Sequence, residues 1–100
     1  MVIETIPFDA AEFLDDEASQ AELVADAFES GDAGYIAHAL GIVARARGMT
    51  QVARDAGVTR EALYRALSQD GDPKLSTLLG VLKALGISLH AGKKPGSEAA

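Results

Sequence analysis

From residue 18 onward, apolar residues recur along this chain at helical spacing. Ala21, Val24, Ala27 and Phe28 predict an acidic helix over about 18–30, closed by Gly31. Asp32 is placed to cap a second helix over 33–47, with Ile36, Leu40 and Val43 on one stripe. Arg45 and Arg47 fall in its last turn, where cations suit the helix dipole, and Gly48 follows as a terminator. Leu75, Leu78, Leu79, Leu82 and Leu85 predict a final helix over 75–85 with an inward leucine row, stopped by Gly86. Beyond it, Ile87 and Leu89 alternate with Ser88 and His90, which reads as a short extended segment. Upstream, the β-formers of residues 1–8 read as extended, and Asp9 is placed to cap a short turn through Leu14.

The stretch between these helices, MTQVARDAGVTREALYRAL from Met49 to Leu67, has the spacing of a DNA-reading helix-turn-helix. Thr50 is placed to cap one short helix whose inner side carries the small residues Ala53 and Ala56. Gly57 supplies the tight turn, and Val58 plugs the angle between the helices. Thr59 is placed to cap a second helix with Leu63 and Leu67 facing inward. Such a pair pushes the start of its second helix into the major groove. A plain helical hairpin has the same pattern, so the surroundings decide between them.

Charge sharpens the picture. The net charge of −6 looks wrong for a DNA binder, but residues 1–32 hold ten acids and no Lys or Arg, whereas residues 33–100 hold all nine cations against five acids. An acidic arm at −10 therefore precedes a basic portion at +4. Phosphate binding depends on the local field, so the basic part remains suited to DNA. The division predicts an acidic helical arm over 1–32, a DNA-binding domain over 33–90 and a disordered tail over 91–100. With 100 residues, 48% of them hydrophobic, the chain makes one all-α domain with an aliphatic core. The absence of Cys removes disulfides and thiolate chemistry. No apolar run approaches the roughly 20 residues of a membrane span, and no secretory signal opens the chain, so a cytoplasmic protein without a membrane partner is expected.

The order of helices from residue 33 resembles the Cro/C1-type, lambda-repressor-like DNA-binding domain of about five helices. A narrower resemblance spans most of the chain. Ala44-Arg45-Ala46-Arg47-Gly48-Met49, the segment Leu63–Leu67, the loop Asp70-Gly71-Asp72-Pro73, Lys83-Ala84-Leu85-Gly86 and the upstream FDAAEFLDDE are similar to probable addiction module antidote proteins. The resemblance implies an antitoxin that neutralises a small, basic RelE/ParE-like toxin and represses its own operon. It also implies that Gln51 contacts a backbone phosphate and steadies the start of the recognition helix.

On the residues themselves, Arg60 holds the first exposed position of that helix, where a guanidinium can bond guanine bidentately. Glu61 departs from the pattern: it either accepts from cytosine or serves the helix N-terminus. Tyr64 and Arg65 follow one turn later, and Ser68 and Gln69 close the helix against backbone. The expected double-stranded DNA contacts are thus Gln51, Thr59, Arg60, Glu61, Tyr64, Arg65 and Ser68, with Arg54 and Lys74 as further phosphate candidates. Phe8, Phe13 and Leu14 are the candidate toxin anchors, because an acidic arm suits a basic partner. The arm has a second reading, as a cover for the core through Phe13, Leu23 and Phe28.

A homodimer is expected because one such domain reads only a few base pairs. Its interface is either the end of the leucine helix with Ile87–Leu89, or elsewhere if those residues fold back on the monomer. His38 and His90 are the sole histidines and stand in different elements; no metal-ligand spacing, phosphate loop or catalytic pair exists. Neither an enzyme nor a cofactor is expected. The alternatives are a stand-alone Cro/C1-type regulator without a toxin and a pure protein-interaction module.

Overall fold

The structure is a computed structural model, and it describes residues 16–93. Five helices follow in order: α1 Glu17–Ser30, α2 Ala33–Arg47, α3 Met49–Ala56, α4 Arg60–Ala66 and α5 Leu75–Leu85. There is no strand among the described residues, so the all-helical expectation holds. The extended start at 1–8, the turn through Leu14 and most of the tail lie outside the described residues.

Local chemistry sets the helix starts. Asp16 accepts from Ser19 N–H at 2.6 Å, and Asp32 from Gly34 N–H at 3.0 Å. Thr59 Oγ1 accepts from Ala62 N–H at 3.0 Å, as its position predicts. Thr50 is the exception. It lies exposed inside α3 and caps nothing, because Gly48 takes the cap position with no side-chain bond. With φ 113 and ψ 108, Gly48 turns the chain from α2 into α3 in one residue, leaving no step at which Thr50 could cap.

The core gathers Leu40 and Val43 of α2, Val52 of α3, Leu63 of α4, the adjoining Leu67, and Val81 of α5. Leu63 is 0% and Leu67 1% exposed, so the inner side of α4 is as expected. Ala53 is buried, and Ala56 and Val58 pack against the same core. Helix α5 approaches the end of α3 closely: a Cβ on Gly80 would stand 3.1 Å from the Ala56 carbonyl oxygen. Gly41 serves the same purpose between α2 and the end of α4, where a Cβ would lie 2.6 Å from the Leu67 carbonyl oxygen.

Two predicted stripes need correction. In α5, Leu75 is 68% and Leu79 48% exposed, while Val81 is fully buried. At about 100° per residue, Leu78, Val81, Leu82 and Leu85 share one arc and Leu79 falls about 60° outside it. Leu75 opens the helix, ahead of the core. In α1 the buried line is Gln20, Val24 and Ala27, and Ala21 is exposed. Gln20 tolerates burial because its side-chain oxygen accepts from Arg47 Nε at 2.6 Å. Tyr35 makes a second tie between α1 and α2, donating to Asp26 Oδ2 at 2.6 Å. That carboxylate bond holds the phenol above its ordinary value of 10.0.

After α5 the chain folds back once, with Ile87 N–H donating to the Leu82 carbonyl at 2.9 Å. Ile87 packs against the core, whereas Leu89 is 50% exposed. The extended segment expected at 87–90 pairs with no strand among the described residues.

Candidate nucleic-acid interface

Helices α3 and α4 are joined by a turn of three residues, Gly57 to Thr59. Gly57 has φ 78, and its N–H and that of Val58 close α3 on the Arg54 and Ala53 carbonyls. A left-handed residue here ends α3 abruptly, so the chain swings into α4 with no slack. Burying Leu63 and Leu67 turns the opposite side of α4 outward, and Arg60, Glu61, Tyr64 and Arg65 are all exposed.

Tyr64 organises this face. Arg60 stands one turn earlier, its guanidinium carbon 5.4 Å from the ring centroid, with Nη2 making a long 3.4 Å contact to the phenol oxygen. Arg45, from the last turn of α2, lies 5.7 Å from the same centroid. Two cations from different helices thus share one aromatic ring. They line an open cleft of about 530 Å³ with Gly48, Met49, Thr50 and Gln51. Neither Asp nor Glu lines it. Its chemistry is that of an anion-facing surface: two guanidiniums, a phenol, a hydroxyl and an amide.

Of the predicted DNA contacts, the structure brings Gln51, Arg60 and Tyr64 together on this cleft. Gln51 Nε2 donates to Asp55 Oδ1 at 3.0 Å along α3. Thr59 spends its oxygen as the cap of α4. Glu61 sits in the first turn of α4, exposed and outside the cleft lining. Arg65 lies in the last turn, and Ser68 Oγ donates to its carbonyl oxygen at 3.0 Å. Arg54 and Lys74 are exposed. Phe8, Phe13 and Leu14 lie outside the described residues. In sequence Arg45 is a partner of the helix dipole; its place beside Tyr64 brings together residues of α2 and α4 that stand 19 positions apart, which no local spacing reveals.

Among the described residues, no group of three or more His, Asp or Glu is placed to hold a metal ion, and no helix is long and apolar enough to cross a membrane.

These features define a small all-helical protein that presents a capped helix and a cationic, aromatic-centred cleft to solvent. The chain belongs to a family of addiction module antidotes: the sequence model described as "Probable addiction module antidote protein" matches residues 4–93. A protein of Haemophilus influenzae described as uncharacterized is 44% identical over 83 residues, covering 83% of this chain and 86% of the relative. No solved structure matches the chain. Membership in an antidote family points to a regulatory and not a catalytic role, and it implies a toxin partner.

Proposed function

We propose that this chain is the antitoxin of a type II toxin–antitoxin module, binding a small, basic RelE/ParE-like toxin and repressing its own operon through sequence-specific major-groove binding. The observation that carries the DNA half is the Thr59-capped α4, which offers Arg60 and Tyr64 to solvent beside Arg45. In this reading residues 33–90 are a lambda-repressor-like helix-turn-helix domain of the Cro/C1 type, with α4 as the recognition helix. Arg60 reads guanine, Gln51 and Arg45 hold phosphate, and Tyr64 keeps the guanidiniums apart and aimed outward. Thr59, Glu61, Arg65 and Ser68 complete the edge of the contact. The protein works in the cytoplasm as a homodimer, because one α4 spans too few base pairs to select an operator alone. The acidic residues 1–32 face the toxin.

A cell carrying a reporter behind the DNA upstream of this gene, with a RelE/ParE-like toxin gene encoded beside it under separate control, tests both halves. The expected outcome is that such a gene is present, that the chain represses the reporter and that it relieves the growth arrest the toxin causes. Unchanged reporter output together with persistent arrest would overturn the reading.

A further inference from the structure

A second cleft, of about 1070 Å³, lies between α1 and the chain that follows α5. Its apolar walls are Ala21, Ala25 and Phe28 on one side and Leu85, Ile87 and Leu89 on the other, with Glu17 and Glu29 at the two ends of α1. Ala21, Ala25 and Leu89 are exposed, so solvent-facing apolar groups line an open groove. Residues 88–93 are exposed and belong to no helix or strand, and Ser88 to Gly92 form the outer wall of the groove.

Charge selects the occupant. From residue 16 to 32 the chain carries Asp16, Glu17, Glu22, Asp26, Glu29 and Asp32 and no Lys or Arg. The one Arg of the lining, Arg47, has its Nε committed to Gln20. Of these acids Glu17 and Glu29 line the groove itself, on a helix with no cation, so DNA phosphate is disfavoured there. A second copy seated here across a two-fold axis would set acidic α1 against itself. We infer that this groove is the toxin-docking surface: it receives a segment of the partner whose apolar side chains are flanked by Lys and Arg. The inference rests on the antitoxin reading above and names its second site. It also separates the two partners. Arg45 lines the cationic cleft and Arg47 this one; two residues apart, they point about 200° around α2 from each other. Toxin and operator therefore occupy different faces.

The test is calorimetric titration of the full chain with the purified product of the adjacent gene. The double variant Ala25→Arg, Glu29→Lys puts bulk and the wrong charge into the groove at exposed positions. Leu79→Asp is the control, an exposed change on α5 outside both clefts. The expected result is wild-type binding, a loss of roughly ten-fold or more in the double variant, and a control within about two-fold, all three binding promoter DNA equally. A double variant that binds the toxin like wild type overturns the docking surface and leaves the antitoxin reading standing. Wild-type chain that fails to bind removes that reading, and the docking surface with it. If the double variant turns a wild-type dimer into a monomer in sedimentation, a second copy fills the groove and the inference falls. It also falls if the free double variant melts more than about 5 °C lower, since the groove is then filled by the chain's own residues.

Discussion

Arg47 Nε donates to the side-chain oxygen of Gln20 at 2.6 Å, tying the end of α2 to the first turns of the acidic helix α1. Gln20 is 2% exposed there, and Val24 and Ala27 continue its line into the protein at 2% and 0%. Helix α1 is therefore packed along one side, whereas Ala21, Glu22 and Ala25 are exposed. Leu23 and Phe28 do pack against the core, as the covering role requires.

Gln20→Ala is expected to lower folding stability by about 1–3 kcal/mol, from the lost amide and the space it leaves. Urea unfolding of the two proteins measures it. Deleting residues 1–30 removes Val24 and Ala27 as well, so the truncated chain is expected to lose its cooperative transition. Point changes on the outer face of α1 are thus the informative probes of partner binding.

The two threonines of the α3–α4 pair make a matched test. Thr59→Ala removes a formed cap and is expected to cost about 1 kcal/mol, within a range of about 0.5–2. Thr50→Ala removes no cap and should stay within about 0.5 kcal/mol of wild type. Equal losses would mean that α3 begins at Thr50 after all.

Two glycines separate strain from crowding. Gly57→Ala meets no atom within 4 Å, so its cost is the left-handed backbone at φ 78 alone, about 1–2 kcal/mol. Gly41→Ala drives a Cβ to 2.6 Å from the Leu67 carbonyl oxygen, deep between α2 and α4. It is expected to cost more, up to about 3 kcal/mol, because helix backbone must shift. Thermal melts of both variants give the order.

Tyr35 provides a pH readout of the α1–α2 contact. Its phenol donates to Asp26, so losing the proton breaks the bond and sets two negative charges together. The folded value lies above 10.0, so this tie is present below the ordinary phenol range and is lost as pH rises through the folded value. Phenolate absorbance should show one tyrosine titrating late in wild type and moving down in Asp26→Asn. No movement would show that the Asp26 contact is absent in solution.

Much of the helical plan was legible because caps and terminators are local. Asp32, Thr59, Gly31, Gly57 and Gly86 act within a few residues of themselves, and each stands where its type predicts. What escaped depended on contacts far along the chain. Leucine at 75 and 79 matches a helical repeat as well as leucine at 82 does, and only the position of the core excludes the first two. Gln20 is polar by type and buried because of a partner 27 residues away. The cationic cleft was half visible: Arg60 and Tyr64 are one turn apart on a predicted helix, but Arg45 joins them only through the packing of α2.

The central claim, that α4 reads the operator of its own gene, is tested most directly by the affinity of the chain for the DNA upstream of that gene across a salt series. Wild type should prefer this DNA to a scrambled fragment, with log affinity falling linearly in log salt by about 0.9 per phosphate neutralised. Arg60→Ala should weaken promoter binding by about 1–3 kcal/mol, relax the preference at one base pair of each half-site and leave scrambled-DNA binding nearly unchanged. Equal affinity for promoter and scrambled DNA, or a promoter affinity untouched by Arg60→Ala, would contradict the account.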